Sequence, residues 1–119
     1  MLGKMPGEYE DKFANLKVAY TFMMGHPGKK LMFMGQDFGQ WSEWSEKRSL
    51  DWYLLGESEH KGLWAYFKAL LHIYRKYPAC YALDQYPEGF FWINADDGDR
   101  SIYSFVRRTR DGRQHMLFV

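Results

Sequence analysis

A single cysteine, Cys80, stands among 119 residues, so no disulfide can close within the chain. With no Cys/His spacing of the metal-binding kind, a reduced, cytoplasmic setting is the expectation. The four histidines, His26, His60, His72 and His115, lie too far apart for a local metal pair, and a structural role is expected for each. No apolar run approaches the ~18 residues that a membrane-spanning helix needs. The opening stretch MLGKMPGEYEDK carries no apolar core of the kind a secretory signal has. Sixteen basic against fifteen acidic residues leave a net charge of +1, so neither nucleic acid nor a membrane is expected as a partner. Also missing are a Ser-His-Asp constellation, a GxGxxG fingerprint and a phosphate loop. Gly3-Lys4-Met5-Pro6-Gly7 has neither the spacing nor the Ser or Thr after Lys that a phosphate loop requires. No metal or cofactor is expected.

Aromatic residues, by contrast, are plentiful: nine Tyr, nine Phe and five Trp, or 19% of the chain. Aromatics fill cores, and they also stack on sugar rings and other flat ligands. Core packing accounts for most of them, so their placement along the chain matters more than their number.

After a loop at Pro6-Gly7, Glu8–Met24 reads as a helix. Tyr9, Phe13, Leu16, Tyr20 and Met23 form one apolar stripe. Glu8, Glu10 and Asp11 sit in its first turn, where the helix dipole favours acids, and His26-Pro27-Gly28 ends it. Lys30–Met34 reads as a short strand, apolar on both faces like a parallel strand covered on each side. A long loop, 35–58, follows. Glu59–Tyr77 is the second helix, with Leu63, Phe67, Leu70, Tyr74 and Tyr77 on its stripe and Pro78 as its stop. Phe90–Asn94, Ile102–Arg107 and Met116–Val119 read as strands, with hairpin signals at Asp97-Gly98 and Asp111-Gly112. The first half looks like α/β repeat and the second like the opening of an all-β domain. The boundary falls near Tyr81–Glu88, dividing residues 1–82 from 83–119. The apolar ending Met116-Leu117-Phe118-Val119 is unlike an ordinary frayed terminus, and a piece of a longer chain is the expectation.

In parallel α/β folds, ligands bind at the C-terminal ends of strands. The loop after Met34 leaves such an end. Gln36, Asp37, Gln40 and Glu43 offer hydrogen bonds to hydroxyl groups, and Trp41 and Trp44 offer stacking faces for a sugar. The same residues fit a structural reading: Trp41 and Trp44, three apart, as packing beneath the loop, and Asp37 as a turn or cap residue. Asp37 and Glu43 as a catalytic carboxylate pair is a weak reading, since two acids six apart in one loop are common by chance.

The runs Met5-Pro6-Gly7, Lys12-Phe13-Ala14-Asn15-Leu16, His26-Pro27-Gly28-Lys29-Lys30-Leu31, Phe33-Met34-Gly35, Ser49-Leu50-Asp51-Trp52 and Phe105-Val106-Arg107-Arg108 resemble the bacterial 1,4-α-glucan (glycogen) branching enzymes of the α-amylase superfamily. The resemblance covers nearly the whole chain, and its motifs are specific in combination. It implies a (β/α)8 TIM barrel followed by a C-terminal β-sandwich. Residues 1–82 would be the C-terminal part of the catalytic barrel, with Leu31–Met34 as its eighth strand, and 83–119 the start of the β domain. It implies cleavage of an α-1,4-glucan and transfer of the freed chain to an α-1,6 branch point. The reaction is a retaining double displacement by an Asp nucleophile, a Glu acid/base and a second Asp. In the resemblance all three lie on earlier barrel segments, so this chain carries no catalytic carboxylate and is expected to be inactive alone. Gln36, Asp37, Trp41 and Trp44 are the implied substrate-binding residues, with α-glucan and the rest of the barrel as partners. The chain departs from the family at Gln36-Asp37, where an Asn-Glu pair is frequent; amide and acid are kept, and the acid is one methylene shorter. The alternative is a non-catalytic carbohydrate-binding or structural module.

Overall fold

The computed structural model describes all 119 residues and contains two helices and one three-stranded sheet, joined by short 3-10 turns. Helix α1 spans Tyr9–Gly25 and α2 spans Ser58–Lys76. Strands β1 (Phe90–Asp97), β2 (Ile102–Arg108) and β3 (His115–Phe118) form an antiparallel meander in the order β1-β2-β3. Single 3-10 turns occur at Leu2–Lys4, Trp52–Gly56, Pro78–Cys80 and Pro87–Gly89. The helices and strands therefore fall where apolar periodicity placed them, within a few residues at each end.

Two compact units divide the chain: Met1–Tyr20 with Leu31–Leu70, and Thr21–Lys30 with Leu71–Val119. In the first, the α1 stripe buries Phe13, Leu16 and Tyr20, and α2 buries His60, Leu63 and Phe67. Ring contacts join them: Tyr20 meets Phe67 edge-on at 5.2 Å, and Phe13 meets the His60 ring at 4.9 Å. Tyr9, expected on the stripe, is largely exposed, while Met24 rather than Met23 is buried.

In the second unit, β2 is the central strand and its Phe105 and Arg107, two residues apart, are both fully buried. Phe105 lies opposite Trp92 on β1 and Phe118 on β3, with ring centroids 5.5 and 4.9 Å away. Such cross-strand aromatic pairs are the local stabilising unit of a sheet. Between β1 and β2 the left-handed residue is Ser101 (φ 54°), not Gly98, and register shifts flank Asn94. The β1–β2 connection is thus longer than the two-residue turn that Asp97-Gly98 suggested.

One expected element is missing. Lys30–Met34 forms no strand and joins no sheet, since the sheet contains β1–β3 alone. Leu31 is 80% exposed, Phe33 51% and Met34 53%, so the apolar faces are not covered. The physical reason is that a parallel strand draws its hydrogen bonds from neighbouring strands. This chain places no such neighbour beside residues 30–34.

Candidate functional site

The loop from Gly35 onward is shaped by two glycines in left-handed conformation, Gly35 (φ +74°) and Gly39 (φ +71°). Backbone bonds close the turn between them: Gln36 N donates to Phe33 O (3.0 Å), Gly39 N to Gln36 O (3.1 Å) and Gln40 N to Gly35 O (2.8 Å). At Gly39 a Cβ would also lie 2.9 Å from Leu63 Cδ2, so a side chain there would force the buried Leu63 to shift. The turn rolls Phe38 inward, where it is fully buried with its ring 5.3 Å from that of Trp52. The Phe38 carbonyl accepts a bond from His60 Nδ1 at 2.7 Å. A carbonyl can only accept, so Nδ1 is the protonated nitrogen. His60 Nε2 is buried without a hydrogen bond, 3.6 Å from Glu57 Oε2.

Gln36 and Asp37 follow at the loop's start, both half-buried. The Tyr20 hydroxyl donates to the Gln36 carbonyl at 2.5 Å. Burial first, and then the nearby Asp37 carboxylate, hold the Tyr20 phenol well above its ordinary pKa, so it remains a donor at any physiological pH. Asp37 itself takes no ion pair or side-chain hydrogen bond within the chain. Its carboxylate is therefore placed by the backbone turn and left available.

Gln40 has a different task from the hydroxyl contacts its amide suggested. It is buried, donates from Nε2 to Ser42 O (3.0 Å) and accepts at Oε1 from Asp51 N (2.9 Å). Ser42 Oγ donates to Asp51 Oδ2 at 2.6 Å. Gln40, Ser42 and Asp51 thus tie residues 40–42 to residue 51 within the 35–58 loop. The Glu43 carboxylate points to solvent with Lys4 Nζ 3.8 Å away, while Arg48 Nη2 donates to the Glu43 backbone carbonyl at 2.8 Å, so Asp37 and Glu43 are not a matched buried pair.

Trp41 and Trp44 each show two sides. Trp41 packs one side on Tyr9 (6.0 Å, stacked), the edge of Phe13 (6.4 Å) and His60 (6.1 Å), and still remains 41% exposed. Trp44 meets Phe33 edge-on at 5.5 Å and is 43% exposed. Both indoles therefore pack against neighbouring rings while keeping part of their surface exposed.

In chemical terms the loop offers a free carboxylate, a half-buried amide and two half-open indoles, a set suited to hydroxyl-rich, ring-shaped ligands. No three His, Cys, Asp or Glu side chains come together as a metal cluster, and neither helix is long and apolar enough to cross a membrane. Sequence reasoning missed the bracing role of Gln40 and the burial of His60. It also missed Arg107, fully buried and bonded to Asp84 at 2.6 Å. The Gln40 brace left no local signal, but His60 sits three residues before Leu63 on the α2 stripe, which its spacing could have revealed.

No family model matches the chain. Over all 119 residues it is 60% identical to a protein of Butyrivibrio fibrisolvens named 1,4-alpha-glucan branching enzyme GlgB. It is 48% and 44% identical to proteins of the same name from Nitrobacter hamburgensis and Aquifex aeolicus. The chain is covered in full in each alignment but spans only 17–19% of these three relatives' length.

Proposed function

We propose, because the chain belongs by sequence with the 1,4-alpha-glucan branching enzymes, that it works as a segment of such an enzyme in the cytoplasm. That enzyme would cut an α-1,4-glucan and transfer the freed chain to an α-1,6 branch point. The single observation that carries this reading is identity of up to 60% sustained over every residue of the chain. Residues 1–82 would then close a (β/α)8 barrel and 83–119 would open a β-sandwich. The exposed, unpaired Leu31–Met34 supports this reading, since a barrel supplies the flanking strands that it needs. The three-stranded meander is compatible with this reading and would supply strands of one sheet of the sandwich.

Within this reading Gln36 and Asp37 border the glucan groove and Trp41 and Trp44 flank it. The unpartnered Asp37 carboxylate accepts from a sugar hydroxyl or orients a catalytic group. In the full polypeptide, Asp37→Ala should cost about 1–3 kcal/mol of transition-state stabilisation, roughly 5- to 150-fold in kcat/KM. Wild-type kinetics in that variant would place the loop outside the groove. The 119-residue chain by itself should neither branch nor hydrolyse amylose, because it supplies no nucleophile and acid/base pair. Iodine staining and reducing-end assays on the pure chain check this, against the full polypeptide as the positive control. Turnover by the short chain, lost on changing Asp37 or Glu43, would overturn its assignment as a segment without catalytic carboxylates.

A further inference from the structure

The second unit contains a cleft of about 600 Å³ that the loop chemistry does not use. Its size falls within the ~300–1,000 Å³ range of small-molecule sites. Tyr74, near the end of α2, and Tyr81 and Tyr86, from the segment after it, contribute its aromatic surface. The Tyr74 and Tyr81 rings are tilted at 51° with centroids 5.4 Å apart, so they form two adjoining faces and not a closed stack. Tyr81 and Tyr86 are both substantially exposed, with Arg110 holding one side of the Tyr86 ring at 4.7 Å.

The polar groups lining the cleft are Lys29, Arg75, Asp84 and Gln85, and Lys30 Nζ, which donates to the His26 carbonyl, lies 5.4 Å over the Tyr74 ring. The Asp84 carboxylate is fixed and neutralised by Arg107 Nη2 at 2.6 Å. Burial and then Asp84 push the Tyr74 phenol above its ordinary pKa, which keeps that hydroxyl a donor. Lys29, Arg75 and Gln85 are solvated, exposed side chains and do not form a buried cationic nest. Adjoining aromatic faces ringed by amide, hydroxyl and flexible donors match a neutral polyhydroxylated ring system better than a phosphate. Such a ligand presents an apolar ring face for stacking and hydroxyls around its rim.

We propose that this cleft binds a glucosyl stretch of an α-glucan, with Tyr81 and Tyr86 as stacking faces and Gln85 bonding sugar hydroxyls. The identity of the ligand rests on the branching-enzyme reading above; the cleft itself does not. The test uses the full polypeptide that carries this chain, run in native gels with and without glycogen. Tyr81→Ala/Tyr86→Ala and, separately, the exposed Gln85→Ala should lose retardation by glycogen, with apparent affinity falling about tenfold for the double variant. Branching of short amylose and the melting temperature should stay at wild-type values. Retardation that is unchanged in both variants overturns the proposal. So does retardation abolished by added salt, because a neutral sugar is not displaced by screening and an anionic ligand is. A polypeptide that fails to branch amylose yet shows glycogen retardation sensitive to these residues would sink the branching reading and leave the cleft assignment standing.

Discussion

Replacing Arg107 with methionine should release β1 and β2 by about 3–5 kcal/mol, among the largest single-residue effects expected in this chain. The Arg107 side chain has no solvent exposure and divides its donors among three partners. Nη1 bonds the Gly25 carbonyl at 2.8 Å, Nε the Gly89 carbonyl at 3.1 Å and Nη2 Asp84 Oδ1 at 2.6 Å. It therefore ties the end of α1, the turn before β1 and the segment after α2 to the central strand. Methionine fills much of the volume but leaves two carbonyls and a nearly buried carboxylate without donors, and that desolvation is the main cost. Lysine retains the charge but has a single nitrogen on a flexible stem and cannot span three divergent acceptors, so Arg107→Lys should fall between the two. Amide hydrogen exchange in β1 and β2 is the direct measurement, expected to quicken upwards of ~100-fold in Arg107→Met. Exchange at wild-type rates would mean the buried network adds nothing net. The double variant Arg107→Met/Asp84→Leu should recover part of the loss, because it removes the orphaned charge along with its partner.

Phe38→Ala should cost a similar ~3–5 kcal/mol, concentrated in the loop and not in the sheet. Phe38 is fully buried although it lies in a turn, and its own carbonyl is the acceptor that fixes His60. Truncation leaves a void under Trp52 and loosens the Gly35–Gln40 turn that sets Gln36 and Asp37 in place. Limited proteolysis should then open new cuts between Gln36 and Glu57 while the β1–β3 segment resists as before. Phe38→Leu keeps most of the apolar contact and should show well under half the effect. If the loop borders the glucan groove, Phe38→Ala also lowers turnover in the full polypeptide, because the site loses its rigid base. A protease pattern identical to wild type would show that Gln40, Ser42 and Asp51 hold the loop unaided.

Much of this chain is legible in its sequence alone. The spacing of Phe13, Leu16 and Tyr20, and of Leu63, Phe67 and Leu70, gives α1 and α2, because a helix repeats its buried face at a fixed local interval. The three strands followed from short apolar runs divided by Gly and Asp, and so did the meander order, since hairpins join neighbours in sequence. Family membership was legible in short runs for the same reason: each is contiguous. What local pattern could not supply is anything that depends on a partner distant in sequence. Leu31–Met34 has strand composition but no strand, because pairing requires a neighbour and none lies beside it. Arg107 has no role in the sequence beyond its place in a strand, and its buried network exists only where Asp84, Gly25 and Gly89 converge on it. Gln40 reads as a ligand-binding amide until Asp51, eleven residues on, is found donating to it. Tyr74, Tyr81 and Tyr86 form a cleft only when the chain after α2 turns back on that helix's end. Periodicity is local and survives in one dimension, whereas burial of a polar group is decided by which distant atoms satisfy it.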